Sequence, residues 1–234
     1  MRWCAVVVAA GRGTRFGAPK QLVDLAGAPL LAWSLRCFAL VAQIQGVVIV
    51  TESEWLDQVR DLCRAEVRVP ACEVVPGGAT RQESVRLGLS SVPSGFDAVL
   101  VHDGARPLVL AQDVCRGMEA VGAGRAAILA APVVDTIKQV RSLQLVVAAT
   151  LPRAGLWAAQ TPQFALLDDL RSAHARAYDD GVQATDDAAL LERLGMEVAI
   201  VAVSGENFKV TYPADIERAA VVLKARRAGV EVPS

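Results

Sequence analysis

The sequence predicts an α/β fold, Rossmann-like, with a mostly parallel central sheet and helices on both faces. Short apolar runs such as residues 47–50 and 98–101 alternate with segments whose apolar residues recur at helical spacing. That alternation is typical of parallel strands joined by helices. Glycine-rich or polar turns follow three of the strands, and ligands in such folds bind beyond the carboxyl ends of the strands. We therefore expect one functional site along that edge of the sheet.

The first half of the chain supplies four strands and their helices. An apolar strand ends at Val8, and a helix is predicted over 28–41 from its apolar spacing. The β-branched strand 47–50 precedes a helix through residue 62, for which Ser53 is the expected N-cap. Strand 67–75 ends in a glycine pair, after which Thr80 and Glu83 have capping-box spacing at the start of a helix. Strand 98–101 then leads into the polar turn 102–107.

In the second half of the chain, an inserted segment interrupts the alternation of strands and helices. A helix over 112–121 and a strand over 126–131 are followed by residues 133–155, where apolar and polar residues alternate around 141–142 as in a β-hairpin. Since a lone hairpin is weakly stable, this arm must pack on its own domain or on a second subunit. Residues 160–164 return to the sheet. Helix 166–177, a helix capped by Thr185 or Asp186, strand 198–203, the extended segment 207–211 and helix 213–227 complete the chain. We expect one domain, 1–234, with the arm inserted at about 133–155.

Composition sets limits on the kind of protein. Among 234 residues, 53% are hydrophobic and 21% charged, as in globular proteins. The formal net charge of −1 gives no reason to expect a nucleic-acid partner. We expect no membrane segment and no secretory signal, hence a cytoplasmic protein. The cysteines are scattered without a C-x-x-C pair and are expected to be small core residues with no metal or redox role: Cys4, Cys37, Cys63, Cys72 and Cys115.

The strongest functional signal is the glycine turn that follows the first strand, residues 9–20. Glycines there let backbone N–H groups approach a ligand closely, and successive N–H groups form an anion site. Arg15 and Lys20 add two cations, so we interpret the turn as a phosphate site rather than a tight turn whose cations face solvent.

Two common phosphate motifs fit this turn badly. A Walker loop has Ser or Thr directly after its Gly-Lys, but Lys20 follows Pro19 and precedes Gln21. The dinucleotide fingerprint Gly-x-Gly-x-x-Gly fails because Gly17 comes one position late, and Asp24 is too early for the acid that this fingerprint requires.

A better match is the first strand and turn of the sugar-phosphate nucleotidyltransferases. Across the whole chain, the sequence resembles their 2-C-methyl-D-erythritol 4-phosphate cytidylyltransferase family, of the non-mevalonate isoprenoid pathway. The resemblance rests on the order and spacing of eight short motifs: 9–15 (AAGRGTR), 19–21 (PKQ), 101–107 (VHDGARP), 131–138 (APVVDTIK), 153–157 (RAGLW), 160–164 (QTPQF), 185–187 (TDD) and 207–211 (NFKVT). One departure is Ala79, where the family often carries an acid.

The resemblance implies that CMP is transferred from CTP to 2-C-methyl-D-erythritol 4-phosphate by in-line attack on the α-phosphate, with release of pyrophosphate. It implies Mg²⁺ held by the CTP phosphates, with no metal ligand from protein side chains, and a homodimer formed through the arm. The implied catalytic residues are Arg15, Lys20 and Lys209. The implied CTP residues are Ala9, Ala10, Gly11, Gly13, Thr14, Arg15, Lys20, Gly77, Gly78, Ser84, Asp103 and Gly104. The implied acceptor residues are Asp103, Arg106, Thr136, Arg153, Thr161, Thr185 and Lys209, with Thr136 and Arg153 supplied by the partner's arm.

The residues alone leave simpler roles open. Asp103 and Arg106 could pair as a loop clamp, and Thr185 could be only a helix cap. His102 directly follows a buried strand and is expected to be a hydrogen-bonded structural residue, and His174 a solvated residue in mid-helix. Two other functions also remain open: a cytidylyltransferase for another polyol phosphate such as ribitol 5-phosphate, and a non-catalytic nucleotide-binding protein on the same fold.

Overall fold

The computed structural model describes residues 1–11, 20–66, 69, 71–141 and 145–229. Its strands are β1 (Trp3–Val8), β2 (Asp24–Leu25), β3 (Ala28–Pro29), β4 (Ile44–Thr51), β5 (Ala71–Pro76), β6 (Ala98–Asp103), β7 (Arg125–Pro132), β8 (Lys138–Arg141), β9 (Val146–Thr150), β10 (Trp157–Leu166) and β11 (Glu197–Ala202). Its α-helices are α1 (Leu30–Ala39), α2 (Leu56–Glu66), α3 (Arg81–Ser90), α4 (Ala111–Glu119), α5 (Leu167–Asp179), α6 (Asp187–Arg193) and α7 (Ala214–Arg227).

A seven-stranded sheet organises the fold, in the order β11-β7-β10-β6-β1-β4-β5. Neighbouring strands are parallel except where β10 runs antiparallel to both β6 and β7. The predicted mostly parallel sheet is therefore confirmed. Because β1, β4, β5 and β6 are mutually parallel, their carboxyl ends share one edge of the sheet, and that edge carries the turns singled out in the sequence.

Helices cover both faces of this sheet, as predicted. Along β1, Ala5 and Val7 belong to a core cluster with α1, α2 and α4, whereas Cys4 and Val6 belong to a second cluster with α3, α5 and α6. The alternation follows from the two-residue period of a strand. Both faces of β1 are apolar because both are buried. Helix α7 closes a third cluster against the short strand β2 and Val210.

Several element boundaries differ from the sequence prediction. Ser53 begins a 3₁₀ turn that precedes α2, and it forms no side-chain cap, so its assignment as the N-cap of that helix is wrong. Asp186, not Thr185, caps α6 by accepting a hydrogen bond from the Ala189 amide. Strand β5 begins at Ala71, and residues 67, 68 and 70 of the predicted strand lie outside the described residues.

The predicted hairpin is present as β8 and β9, which form a separate two-stranded antiparallel sheet. Its residues are largely exposed, including the apolar side chains of Val140, Val146 and Val147. Residues 142–144, at the predicted turn, are outside the described part of the chain. The hairpin's outer surface is therefore available for contact with another surface.

The cysteine prediction fails at one pair. Cys63, at the end of α2, and Cys72, in β5, are joined by a disulfide. No sequence pattern indicates the pairing, because it is the packing of a helix on an edge strand that brings together two cysteines nine residues apart. Cys4 and Cys37 are buried, as expected, and Cys115 is partly buried. Within the described ranges, no helix combines the length and hydropathy needed to cross a bilayer.

Candidate active site

A cleft of about 780 Å³ opens at the carboxyl edge of the sheet. Three of the predicted segments line it: the turn after β1, the turn after β5 with the start of α3, and the end of β6. Lys20 and Lys209 also line it, although they come from distant parts of the sequence. The predicted convergence of three loops on one edge is thus observed.

The turn after β1 contributes backbone and small side chains. The Ala9 amide donates to the carbonyl of Val50 at 2.7 Å, which anchors the turn to β4. Ala10 and Gly11 line the cleft, while the Ala9 side chain is buried in the core. Gly13, Thr14 and Arg15 lie among residues 12–19, which the structure does not describe, and their roles stay predictions.

The second turn consists of Gly77 and Gly78 ahead of α3, and both are places of close approach. A Cβ on Gly77 would lie 2.3 Å from the Cβ of Ala10, and a Cβ on Gly78 would lie 2.3 Å from Cγ of Glu83. The buried Ser84 hydroxyl holds the turn by donating to the Thr80 carbonyl at 2.9 Å and accepting from the Gly78 amide at 3.1 Å. A side chain at residue 77 would therefore collide with the turn after β1, whereas one at residue 78 would displace the flexible Glu83 side chain.

The start of α3 confirms half of the predicted capping box. Thr80 accepts a hydrogen bond from the Glu83 amide at 3.1 Å. The Glu83 carboxylate reaches back to the Ala79 amide at 2.8 Å, one residue before the cap. An acid thus lies against the position where the family often carries one, although residue 79 itself is alanine.

Asp103 ends β6 and faces two cations. Its Oδ2 lies 2.7 Å from Nζ of Lys209, and its Oδ1 accepts from Nε of Arg81 at 3.0 Å. Burial alone would raise the pKa of Asp103, but the charges of Arg81 and Lys209 outweigh it and hold that pKa well below its usual range. Asp103 is therefore ionised. Its carboxylate pairs with Arg81 and Lys209 and not with the Arg106 side chain, so the alternative of an Asp103–Arg106 loop clamp is wrong. Arg106 instead donates to the carbonyl of Asn207 at 2.8 Å.

Lys20 also lines the cleft and contacts segment 207–211. Its Nζ donates to the carbonyl of Val210 at 3.0 Å, one residue beyond Lys209. Val210 in turn donates its amide to the carbonyl of Ala105 at 2.8 Å, which ties segment 207–211 to the turn after β6. Two of the three predicted catalytic cations therefore lie within one connected set of contacts.

His102 and Thr161 support the Asp103 turn from inside. Nε2 of His102 lies 3.1 Å from the carbonyl oxygen of Arg106. Because a carbonyl can only accept, Nε2 carries the ring proton. Nδ1 is therefore the acceptor, and it receives a hydrogen bond from the Thr161 hydroxyl at 3.2 Å. The Thr161 oxygen accepts from the Asp103 amide at 2.9 Å. Burial lowers the pKa of His102 to about 3, so the ring is neutral. The predicted structural role of His102 is confirmed.

Gly104 is packed against the end of β1. Its amide donates to the Val8 carbonyl at 2.9 Å, and a Cβ there would lie 3.1 Å from Cδ1 of Leu31. This close contact brings the turns after β1 and β6 together at one wall of the cleft.

The chain matches the sequence model of the family described as IspD, 2-C-methyl-D-erythritol 4-phosphate cytidylyltransferase, over residues 3–225. The chain belongs to this cytidylyltransferase family. A relative of that name from Prochlorococcus marinus (strain MIT 9313) is 44% identical over 223 residues, covering 94% of this chain and 98% of the relative. Another from Streptomyces avermitilis is 43% identical, covering 97% of this chain and 93% of the relative. The crystal structure of the enzyme of that name from Thermus thermophilus superposes with a TM-score of 0.76 at 32% identity, covering 96% of this chain and all of that one.

The remaining acceptor residues expected for this family are not gathered in the cleft. Thr161 is buried, and its hydroxyl is hydrogen bonded to His102 and the Asp103 amide. Thr185 is exposed just before α6. Thr136 and Arg153 are exposed at the base of the hairpin, where Arg153 donates to the carbonyl of Val134. Their roles in acceptor binding stay predictions.

Arg81 is a cleft residue that the sequence prediction missed, and it contacts Asp103. A signal was available, because Arg81 is the first residue of α3 and a cation is unfavourable at a helix N-terminus unless an anion compensates it. The prediction that His174 is solvated is wrong: it is buried, and its Nε2 lies 3.0 Å from Oδ1 of Asp187. Both residues depend on contacts between side chains of different elements, which local sequence patterns do not specify.

Proposed function

We infer that the protein transfers the cytidylyl group of CTP to 2-C-methyl-D-erythritol 4-phosphate, giving 4-diphosphocytidyl-2-C-methyl-D-erythritol and pyrophosphate. The observation that carries this inference is the cleft in which Lys20, Lys209 and Asp103 converge beside two glycine turns, in a chain of this family. A phosphoryl-type transfer needs positioned cations more than it needs a covalent catalyst.

In the proposed reaction an oxygen of the acceptor phosphate attacks the α-phosphorus of CTP. The bond from that phosphorus to the pyrophosphate oxygen breaks, and pyrophosphate leaves with the bonding electrons. Lys20 and Lys209, with Arg15 from the undescribed part of the turn, would offset the negative charge that develops at the α-phosphate. Since an ammonium carries three donors, the bond from Lys209 to Asp103 leaves two for phosphate oxygens.

The nucleotide would be bound largely by backbone groups. Gly11 and the following amides, with Gly13 and Thr14, would hold the β- and γ-phosphates, as N–H groups do in other anion-binding turns. Gly77 and Gly78 would present their carbonyl groups to the cytosine. Ser84 would act mainly by fixing that turn, because its proton is donated to Thr80. Asp103 would accept from the ribose, and Gly104 would keep its turn close to the nucleotide.

Mg²⁺ would enter as part of the substrate, bound to the CTP phosphates. The described residues contain no cluster of three or more His, Cys, Asp or Glu side chains able to hold a metal. Both oxygens of Asp103 are engaged by cations, so this carboxylate is poorly placed as a ligand. A phosphate-bound Mg²⁺ keeps several waters and needs few protein ligands, which suits this cleft.

The acceptor would be bound by Arg106, Thr185, the Thr161 segment and the Asp103–Lys209 pair. The exposed apolar surface of the hairpin supports its use as a dimerisation arm, because an isolated two-stranded sheet gains stability by packing on another surface. In the proposed homodimer, Thr136 and Arg153 on each arm would complete the site of the partner subunit.

The test measures pyrophosphate release from CTP and Mg²⁺, with 2-C-methyl-D-erythritol 4-phosphate or ribitol 5-phosphate as acceptor. Release with the first acceptor, at least a hundredfold faster than with the second in kcat/KM, is the expected result. Preference for ribitol 5-phosphate would retain the nucleotide site and overturn the acceptor. CTP binding without release with either acceptor would overturn the proposed activity.

A further inference from the structure

A row of charged and polar side chains runs from the cleft into the protein interior. It begins with the Lys209–Asp103–Arg81 contacts described above and continues inward. Nη2 of Arg81 lies 2.9 Å from Oδ2 of Asp187, and Oδ1 of Asp187 lies 3.0 Å from Nε2 of His174. The row therefore joins α3, α5 and α6 to the end of β6 and to segment 207–211.

Asp187 is the buried anchor of this row. Its side chain is 1% exposed, compared with 28% for Arg81. The side-chain oxygen Oε1 of Gln163 accepts from the amides of Asp187 and Ala188, at 3.0 and 2.9 Å, so this β10 side chain fixes the start of α6. An ionised carboxylate at this depth is costly unless a cation compensates it. Although burial would raise its pKa, the Arg81 charge and the His174 contact lower it.

The Arg81 guanidinium contacts the buried Asp187 on one side and Asp103 on the other. Its Nε donates to Asp103, whereas the contact with Asp187 is chiefly coulombic because Oδ2 of Asp187 accepts no well-aligned hydrogen bond among the described residues. A planar guanidinium with two anionic contacts has its orientation fixed. That orientation in turn decides which oxygen of Asp103 remains for Lys209.

We propose that Asp187 is a positioning residue for nucleotidyl transfer, acting through Arg81 on Asp103 and Lys209. The inference rests on the proposed function. Asp187 does not line the cleft. Without its charge, Arg81 would be compensated by Asp103 alone and could turn toward the phosphates, drawing Asp103 away from Lys209. The reacting groups would then be misaligned, and small displacements of this kind cost large factors in rate.

A purely structural role makes a different prediction. If Asp187 only stabilises the packing of α5 on α6, its replacement would lower activity to the same extent whether Arg81 is present or absent. If it acts through Arg81, replacement would have no further effect once Arg81 is gone. A double-mutant cycle separates these two cases.

The experiment compares Asp187→Asn, Arg81→Met, the double variant and the unaltered protein by kcat and KM for CTP, with thermal unfolding as a check on folding. Asp187→Asn is expected to lower kcat about tenfold, with KM for CTP changing less than about threefold. The double variant is expected to match Arg81→Met within about twofold. Asp186→Asn is the matched control: it changes the side chain that caps α6 and accepts from Nε2 of Gln163 at 2.9 Å, and it alters neither partner of the Arg81–Asp187 contact.

Two results would overturn the proposal. One is a double variant whose loss equals the product of the two single losses. The other is an Asp187→Asn loss no greater than that of Asp186→Asn at equal loss of thermal stability. The activity of the unaltered protein distinguishes this test from the test of the proposed function. If that protein shows no turnover, both proposals are overturned. If it turns over and the double variant loses the product of the two single losses, only the role of Asp187 is overturned.

Discussion

Lys209 and Asp103 form an ion pair of 2.7 Å across a sequence separation of 106 residues. The contact joins segment 207–211 to the end of β6 and places an ammonium group at the cleft. Because both partners are partly shielded from water, the pair is screened less than a surface salt bridge. The pair therefore fixes where the positive charge of Lys209 lies.

Replacing Lys209 tests its assignment as a catalytic cation. Lys209→Met is expected to lower kcat by about a hundredfold or more, because charge developing at the α-phosphate loses its counter-charge. The affinity for CTP is expected to change by a much smaller factor. Steady-state kinetics and direct CTP titration check this, with exposed Lys224→Met on α7 as the matched control. Equal losses in affinity and kcat/KM would remove the transition-state role.

The sequence predicted the sheet and the location of the cleft well, since both follow from local signals. Apolar runs give the strands, and glycines mark the turns after β1 and β5, in the second of which a side chain at Gly77 would collide with Ala10. The resemblance also supplied Lys20, Asp103 and Lys209, and the structure brings these residues together.

What the sequence could not supply are contacts between the side chains of different helices and strands. The pairing of Arg81 with both Asp103 and Asp187, the burial of His174 and the Cys63–Cys72 disulfide each depend on how helices sit on the sheet. The two hydrogen bonds of the Thr161 hydroxyl are of the same kind, because the Asp103 amide and His102 meet it only in the folded chain. Local patterns carry no information on these geometries.

The close approach of Gly77 to Ala10 gives a prediction about nucleotide binding. Gly77→Ala would place a methyl group 2.3 Å from the Cβ of Ala10, so the two turns must separate. We expect CTP affinity to fall about tenfold, in line with an overpacking cost of about 1–3 kcal/mol. Adding Ala10→Gly should recover part of that loss. Gly122→Ala, which meets nothing within 4 Å, is the control, and failure of Ala10→Gly to rescue would contradict the steric explanation.

The neutral state of His102 predicts a pH dependence of stability. Its pKa falls from 6.5 in the unfolded chain to about 3 in the folded protein, so below pH 6.5 only the unfolded chain takes up this proton. The free energy of unfolding should therefore decrease as pH falls, by at most about 1.4 kcal/mol per pH unit from this group.

His102→Gln should remove that contribution. The free energies of unfolding should be compared between pH 6.5 and 4.5. Carboxylates with a lowered pKa, such as Glu66, change the pH dependence of stability mainly below this range. Urea denaturation of the variant and the unaltered protein across this range measures the difference. Parallel curves would show that His102 is not the group responsible.

The Thr161 hydroxyl supports the Asp103 amide, and its removal should weaken the Asp103 turn. Thr161→Val keeps the shape of the side chain but leaves the Asp103 N–H without its acceptor, at a cost of about 1–3 kcal/mol in unfolding free energy. Thr161→Ser retains the oxygen and should be much less destabilised. Urea denaturation of both variants provides the measurement, and an equal loss in both would instead indicate loss of the methyl contact.

The proposed exchange of arms between subunits predicts complementation between two defective variants. Lys20→Ala disables the cleft of its own subunit, and Arg153→Ala disables the arm that would serve the partner. If the arms cross, each mixed dimer contains one site with both defects and one intact site. Random assembly of equal amounts should then restore about a quarter of the unaltered activity, since about half of the dimers are mixed. Co-expression with two different affinity tags allows the mixed dimer to be isolated and assayed by pyrophosphate release. If each arm serves its own subunit, the mixed dimer has two singly defective sites, and its activity would be no more than the mean of the two parents.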